Sequence, residues 1–379
     1  MKLTCLQENL SRALNTVGRA VATRTTLPIT QNVLISTDQS KLKLTATNLE
    51  IAISTWMGAD IEEEGSITIP ARLLTEFVNS LPSERIEIAS TEQPKGLDLQ
   101  CARFNAHING TDADEFPPVP SVDSGVMAKM ESKDLKKAIS HVAFAAATEE
   151  SRPVLTGTKV DMSDQKVVFA AADGFRLAVY NADLAEAVSE ETSFIVPARS
   201  LQEVNRAIGA QGSPVEFTVT PSKSQVLFRL DDIEIVSQLI QGTFPDYAQL
   251  IPQNYGARVI MKREDFLRVT RSASIFARDG SGIVRLEVSN EEGEEARLKV
   301  SSRAEELGDN EGSVDAKIEG ENAETKIAFN SKYLSEVLDN LLEDEVALET
   351  TTSSSPGVIR PVDSDNEYLH VVMPMFVQW

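Results

Sequence analysis

The chain has few of the residues that build disulfide, metal or catalytic centres. Its 379 residues include two cysteines, three histidines and two tryptophans. Cys5 and Cys101 are too few for a disulfide scaffold and lack the short spacing of a metal site, so we expect reduced thiols. His107, His141 and His370 stand far apart in the sequence, which argues against a metal site. The composition therefore predicts no metal and no other cofactor.

Catalytic signatures and long apolar runs are also missing. The sequence contains no GxSxG, HExxH or phosphate-binding glycine loop, so a binding role is favoured over an enzymatic one. No segment approaches the roughly 20 apolar residues of a membrane span, and the amino terminus lacks the apolar core of a signal peptide. We expect a cytoplasmic protein that makes no contact with membranes.

Positive charge is scarce overall but concentrated. Lysine and arginine number 36 against 58 acidic residues, which gives a formal net charge of -22. A uniformly acidic body would repel nucleic acid. Segments 8–24, 132–152 and 262–278, however, hold twelve basic and six acidic residues in total. Each segment contains a predicted amphipathic helix, so one basic element recurs three times and an anionic partner stays possible.

The chain is built from a long internal repeat. LTCLQENLSRAL from Leu3 recurs as AKMESKDLKKAI from Ala128 and as VIMKREDFLRVT from Val259. Each copy has a β-like run, an acidic cap and an amphipathic helix. A second set recurs at similar offsets: IPARLLTEF from Ile69, VPARSLQEV from Val196 and FNSKYLSEV from Phe329. Solenoid repeats have only about 20–50 residues, so these are complete domains, which we place at residues 1–124, 125–256 and 257–379.

Each predicted domain combines two helices with about eight strands. KLKLTATNLEIAIS from Lys41 and similar alternating segments predict strands with one buried face. This content indicates an α+β fold in which the helices pack on antiparallel sheets. The two helix segments of a domain also resemble each other, as Leu10 and Leu73 show, which predicts a further duplication within each domain. Acidic runs at 61–65 and 290–296 are expected to be solvated hairpin turns.

Two segments indicate binding. ADGFRLA at 172–178 contains Asp173-Gly174, a pair typical of hairpin turns. The last residues, HVVMPMFVQW, are apolar where most chains are polar. Because methionine suits adaptable contacts, this tail predicts an apolar groove that accepts short peptides.

Six motifs together resemble one family. They are LPIT from Leu27, IPAR from Ile69, ADGFRLA from Ala172, VPAR from Val196, FPDY from Phe244 and VVMPM from Val371. The combination closely resembles the bacterial sliding clamp, the beta subunit of DNA polymerase III. The resemblance implies three domains of the clamp fold that close as a head-to-tail homodimeric ring around double-stranded DNA. It implies a non-catalytic processivity factor whose partners are the polymerase alpha subunit, the clamp loader, and other polymerases and repair proteins.

The resemblance also implies site residues. Motif matching gives the DNA contacts Arg24, Arg72, Arg152 and Arg199, and charge placement on the helices adds Lys136, Lys137, Arg268 and Arg271. Lysine and arginine there would bind phosphate oxygens without reading sequence. The implied peptide groove consists of Leu155, Ala172, Gly174, Phe175, Arg176, Leu177, Pro245, Leu250, Val371, Met373, Pro374 and Met375. The implied dimer interface joins Phe104 and Ala106 to Ile275 and Phe276.

This chain departs from the family pattern in two places. Ala172 stands where members often carry threonine, and Phe376 begins an extension where members commonly end after a basic residue. The extension would cover the groove or change the peptides it accepts. The alternative function is an acidic three-domain scaffold that docks peptides without encircling DNA. Salt-dependent binding to duplex DNA distinguishes the two.

Overall fold

The computed structural model describes residues 1–149, 151–277, 282–289, 296–306, 308–320, 325–362 and 367–378. Along these residues one pattern, a strand followed by a helix and three strands, occurs six times. It occurs twice in each predicted domain, which confirms the predicted inner duplication. The described helices are α1 (Gln7–Val17), α2 (Ala71–Ser80), α3 (Ser132–Val142), α4 (Ala198–Ile208), α5 (Arg263–Ala277) and α6 (Ser331–Asn340).

The strands follow the same order. The first two patterns contain β1 (Lys2–Leu6), β2 (Asn32–Asp38), β3 (Lys41–Thr47), β4 (Ile51–Met57), an additional β5 (Asp60–Glu63), β6 (Ser66–Pro70), β7 (Arg85–Glu92), β8 (Lys95–Cys101) and β9 (Phe104–Asn109). The next two contain β10 (Val126–Met130), β11 (Gly157–Ser163), β12 (Lys166–Ala172), β13 (Arg176–Asp183), β14 (Thr192–Pro197), β15 (Val215–Val219), β16 (Gln225–Arg229) and β17 (Ile233–Gln238). The last two contain β18 (Ala257–Lys262), β19 (Ile283–Ser289), β20 (Arg297–Ala304), β21 (Gly308–Gly320), β22 (Lys326–Asn330), β23 (Glu345–Thr350), β24 (Gly357–Pro361) and β25 (Tyr368–Val372).

The helices form where the apolar spacing predicts them. On α1 the buried residues Leu10, Leu14 and Val17 recur at helical spacing and share one face. Burying a side chain of this size stabilises the fold by about 1.5–3 kcal/mol. The side-chain oxygen of Asn330 accepts a hydrogen bond from the backbone N–H of Lys332 at 2.9 Å, so it caps the first turn of α6.

By its internal contacts the chain divides into two compact units. The first consists of residues 1–133, 188–190 and 200–239. It contains a five-stranded sheet in the order β5-β1-β7-β8-β9 and an eight-stranded sheet in the order β10-β15-β16-β17-β4-β3-β2-β6. Neighbouring strands are antiparallel, as β7 and β8 show.

The second unit consists of residues 134–187 and 191–199 together with those from 240 onward. Its strands form one twelve-stranded sheet in the order β14-β11-β12-β13-β25-β24-β23-β18-β21-β20-β19-β22. Tyr368, Phe266 and Phe329 are among its largest fully buried side chains. The antiparallel sheets and packed helices of both units agree with the predicted α+β class.

One strand junction occurs in both units. In the first unit the last strand of a five-element pattern, β17, pairs with the last strand of another pattern, β4, and Ile235 lies opposite Ile53. In the second unit β25 pairs with β13 in the same way, and His370 lies opposite Ala178. The repeat therefore joins successive domains by edge-to-edge strand pairing.

β9 and β21 are the two remaining strands that end a five-element pattern. β9 ends its sheet. β21 pairs with β20 along residues 308–315 and with β18 along residues 316–320. Among the described residues, one side of β9 and one side of β21 from 308 to 315 therefore have no strand partner.

Two sequence predictions need comment. The acidic run 61–65 was expected to be a turn, but its first three residues lie in β5, which pairs with β1. The expectation was wrong there because strand pairing tolerates acidic residues on an exposed edge. Of the run 290–296, residues 290–295 lie outside the described residues. No helix in the described part of the chain is long and apolar enough to span a membrane.

Candidate functional site

The first candidate site begins at the hairpin between β12 and β13. The Oδ1 atom of Asp173 accepts hydrogen bonds from the backbone N–H groups of Phe175 at 2.8 Å and Arg176 at 3.0 Å. Gly174 has a φ angle of +95°, a left-handed conformation that other residues rarely adopt. The Asp-Gly pair thus forms the predicted turn and leaves Phe175 57% exposed at its tip.

Arg176 fixes this hairpin although the residue is only 8% exposed. Its Nε donates to Asp173 Oδ2 at 3.0 Å, and its Nη2 donates to the carbonyl oxygen of Phe144 at 2.9 Å. Its Nη1 forms an ion pair with Glu336 on α6. The rings of Phe144 and Tyr333 lie 5.4 and 4.7 Å from the guanidinium carbon. A buried, fully paired charge therefore ties the hairpin to α6.

Beside the hairpin, two buried apolar clusters form a floor. The first contains Leu177 and Val371, which lie opposite each other on β13 and β25. The second contains Leu155. Ala172 and Tyr247 pack against both clusters. These side chains therefore form one continuous apolar cluster.

Exposed apolar side chains lie near this floor. Leu250 and Met373 are 49% and 37% exposed. The backbone N–H of Met373 donates to the carbonyl oxygen of Phe175 at 2.9 Å, which joins the tail to the hairpin. The backbone N–H of Met375 donates to the carbonyl oxygen of Ala328 at 2.7 Å. The tail is thus held at two points, as its apolar sequence suggests.

The predicted groove residues fall into three sets. The floor contains Leu155, Ala172, Leu177 and Val371. The hairpin and its contact with the tail contain Gly174, Phe175, Arg176 and Met373. Pro245 is exposed in the segment that carries Tyr247 and Leu250, and Pro374 and Met375 are half-buried in the tail. Their binding role stays a prediction.

Tyr247 packs against both floor clusters, but the sequence reasoning did not select it. It lies in the FPDY motif, and its ring is 6.3 Å from that of Phe244 in an edge-on arrangement. Lys159 Nζ lies 5.8 Å from the ring centre. Burial raises the pKa of Tyr247 to about 12, so its phenol stays protonated at neutral pH. An aromatic residue two positions after Pro245 was the available signal.

A buried polar cluster lies in the same unit. His141 Nε2 is 3.8 Å from Glu343 Oε2, and Lys137 Nζ is 2.9 Å from Glu343 Oε1. These two neighbours hold the pKa of Glu343 well below its ordinary value. His370 Nδ1 is 3.1 Å from the hydroxyl of Tyr368, and burial lowers the pKa of His370 to about 3. The charged pair therefore links α3 to the residues that follow α6.

The arginines predicted from motifs lie on the surface. Arg24, Arg72 and Arg199 are exposed. Arg72 Nε donates to Glu76 at 2.8 Å, and this hydrogen bond raises the pKa of Arg72. Arg152 is also exposed, and its Nη1 lies beside Gly174. Arg152 therefore borders the hairpin of the groove.

The basic residues predicted from helix charge differ in their surroundings. Lys136 is exposed on α3, and Arg268 and Arg271 are exposed on α5. Acidic residues accompany two of them: Arg268 pairs with Asp265 and Arg271 with Asp339.

Lys137 is half-buried and paired with Glu343 and, at 3.5 Å, with Glu367. Its charge is thus already neutralised by carboxylates, and its DNA contact stays a prediction. Arg278, the last basic residue of its segment, lies outside the described residues.

The predicted dimer residues occupy an edge strand and the end of a helix. Phe104 and Ala106 lie on β9, and Phe104 is 51% exposed. Ile275 and Phe276 lie in the last turn of α5, and Ile275 is 52% exposed. Large apolar side chains are therefore exposed next to strand edges that have no strand partner within the described part of the chain.

Family models match nearly the whole chain. The model described as DNA polymerase III beta subunit, N-terminal domain, matches residues 1–120. The central-domain model matches residues 129–246, and the C-terminal-domain model matches residues 248–376. The chain belongs to the DNA polymerase III beta subunit family. The exact domain limits at residues 124 and 256 stay predictions.

Individual members of this family agree with that assignment. The chain is 33% identical to the beta sliding clamp of Synechocystis over 99% of both chains. It is 30% identical to the beta sliding clamp of Staphylococcus epidermidis over 97% of both. Among solved structures, the DNA polymerase sliding clamp of Bacillus subtilis matches with a TM-score of 0.92 and 28% identity over both whole chains. A sliding clamp from Pseudomonas aeruginosa, bound to griselimycin, matches with a TM-score of 0.92 and 27% identity over both whole chains.

Proposed function

We propose that this protein is a DNA sliding clamp, the non-catalytic processivity factor of a replicative DNA polymerase III. The observation that carries the proposal is the match of three beta-subunit domain models in order along residues 1–376. The clamp encircles duplex DNA in the cytoplasm and slides without sequence preference. Its three domains are residues 1–124, 125–256 and 257–379.

Sequence-independent sliding requires contacts to phosphates rather than to bases. Arginine and lysine provide such contacts through charge alone. The proposed contacts are Arg24, Arg72, Lys136, Lys137, Arg152, Arg199, Arg268 and Arg271. Exposure of seven of these side chains supports the assignment, whereas Lys137 is engaged by two carboxylates. The net charge of -22 discourages DNA from binding elsewhere on the surface.

A homodimer follows from the repeat. In the described residues, two junctions join the last strands of two five-element patterns. β9 and β21 also end such a pattern, and neither has the equivalent partner among those residues. Pairing β9 of one copy with β21 of a second copy repeats the junction and closes a head-to-tail ring. Ile275 supports this closure because it is equivalent in the repeat to Arg19 and Phe144. The equivalent position in the first domain lies beside a strand junction, so Ile275 should lie beside the closing junction. Arg19 pairs with Glu203 beside the first junction at 3.6 Å.

The groove receives short linear motifs of the replicative polymerase alpha subunit, the clamp loader, and other polymerases and repair proteins. Its apolar floor and exposed Phe175, Leu250 and Met373 suit an apolar peptide. A relative from Pseudomonas aeruginosa binds griselimycin, which supports the presence of a ligand-binding site in this fold.

The test is retention on closed DNA circles. Protein incubated with nicked circular DNA and a clamp loader should co-migrate with the circles in high salt and be lost when a restriction enzyme linearises them. A scaffold that docks peptides without encircling DNA would show no dependence on linearisation. Direct binding to short duplexes in low salt should weaken as salt rises. The Arg268→Ala/Arg271→Ala variant should show a shallower salt dependence, whereas Lys166→Ala, an exposed change on β12, should not.

A further inference from the structure

The two internal junctions share one register, which can be transferred to the free edges. The strands that precede β9, β17 and β25 carry the equivalent residues Leu99, Phe228 and Ile359. These residues lie opposite Ala106, Ile235 and His370, respectively. The strands that precede β4, β13 and β21 carry the equivalent residues Leu44, Phe169 and Val300. These residues lie opposite Thr55, Tyr180 and Gly312, respectively. Ala106 is therefore equivalent to Ile235 and His370, and Asn310 to Ile53 and Ala178.

This equivalence fixes the closing contact residue by residue. Because Ile235 pairs with Ile53 and His370 with Ala178, Ala106 of one copy should lie opposite Asn310 of the other. In antiparallel pairing, His107 then lies opposite Asp309. Counting two residues in the other direction places Phe104 opposite Gly312.

The side chains at these positions fit that register. On the core-facing side, Gly312 offers no side chain opposite the exposed Phe104, and a Cβ there would lie 3.3 Å from Val269 on α5. On the outer side, His107 pairs with Asp98 of its own sheet, with Nδ1 and Oδ1 2.6 Å apart. Asp309 lies directly opposite Arg303 on β20.

We propose that the closed assembly places His107 of one copy between Asp98 of the same copy and Asp309 of the second copy, with Arg303 beyond it. Charges then alternate across four neighbouring strands, β8 and β9 of one copy and β21 and β20 of the other. Opposite charges at facing positions stabilise neighbouring strands. This assignment rests on the proposed dimer and adds the residues that set its register and strength.

Protonation of His107 should therefore strengthen closure. The sheet face that bears His107 also carries Lys2, Glu62, Glu87 and Asp98. The face it would meet carries Asp309, Glu311, Arg303 and Lys299, of which Glu311 and Lys299 already pair at 2.7 Å. A second carboxylate favours the charged imidazole, so dimer formation takes up protons, and the gain is lost as pH rises above the range in which histidine is charged.

The experiment is sedimentation equilibrium of the full-length protein, which yields the dimer Kd. His107→Asp places three carboxylates together and should raise Kd at least about tenfold. Asp309→Lys alone should weaken closure similarly, because the new lysine would face the charged His107 of the other copy. The double variant His107→Asp/Asp309→Lys reverses the charges and should return Kd to within about threefold of the unmodified protein. Asp315 lies on the same strand but beyond the reach of β9, so His107→Asp/Asp315→Lys should remain weak.

A pH series provides a second readout. Between pH 8 and pH 6 the Kd of the unmodified protein should fall, and His107→Gln should flatten that change. A dimer whose Kd is not restored by the matched charge reversal, or is restored equally by Asp315→Lys, overturns the proposed register. A protein that stays monomeric at every concentration instead refutes the proposed ring.

Discussion

Replacing Arg176 should destabilise the second unit more than any surface change of the same charge. The guanidinium pairs with Asp173 and Glu336 and is buried between the rings of Phe144 and Tyr333. Removing one partner of a buried pair costs about 3–5 kcal/mol. The lower end applies here because Asp173 keeps two backbone N–H donors and the Glu336 side chain is 33% exposed.

The loss of the two ring contacts adds about 1 kcal/mol, which gives an expected cost of about 4 kcal/mol for Arg176→Ala. Arg176→Lys should cost less stability than Arg176→Ala because lysine keeps the charge. It should still destabilise the unit because lysine cannot donate hydrogen bonds from a planar fork. A matched control is Lys166→Ala on the preceding strand, where lysine and Asp183 are both largely exposed. That change should cost less than about 1 kcal/mol.

The assay is urea unfolding followed by circular dichroism, together with hydrogen exchange of the backbone amides at positions 175 and 176. Both amides donate to Asp173, so they should exchange faster in Arg176→Ala and at an unchanged rate in Lys166→Ala. Equal unfolding midpoints for Arg176→Ala and Lys166→Ala, with unchanged exchange, would refute the view that this arginine holds the hairpin.

Three further predictions concern the groove, the dimer and the buried cluster. Changing Met373 and Met375 to alanine should weaken binding of a fluorescent clamp-binding peptide at least about tenfold without altering dimer mass, because it removes apolar contact area beside the floor; unaltered peptide affinity would refute the groove. Changing Ile275 and Phe276 to aspartate should give monomers by light scattering, since it puts charge into an apolar contact; an unchanged mass would contradict that interface. The folded-state pKa of Glu343 is lowered, so its contribution to stability is present above its ordinary value of 4.5 and lost as pH falls below it. Glu343→Gln should therefore lower Tm at pH 7 and reduce the fall in Tm between pH 5 and pH 3; parallel Tm curves would show that Glu343 makes no such contribution.

Much of the fold could be predicted from the sequence because a helix or strand predicted in one domain is supported by the equivalent segments of the other two. The strands in KLKLTATNLEIAIS and the Asp173-Gly174 turn were predicted correctly from alternation and turn chemistry. Residues 61–63 were assigned to a turn because their acidity masks a strand whose pairing partner, β1, lies far away in the chain. Local patterns carry no information about such distant partners.

The site was predicted less completely for the same reason. Motif matching found the hairpin and the tail, but the packing of Tyr247 against both floor clusters depends on three separated segments. The sequence presented Lys137 as one more basic helix residue. Its pairing with Glu343 and Glu367 arises only when α3 meets residues about 200 positions later in the chain.

The charge pattern of the two unpaired strand edges bears on how the dissociated protein avoids aggregation. An exposed edge strand is a ready template for uncontrolled association. Asp309, Glu311 and Asp315 on β21 would repel one another if two such edges met, and β9 carries no acidic side chain at all. Copies in solution are therefore free to join β21 to β9 but are discouraged from joining β21 to β21, so the acidic edge limits the direction of assembly.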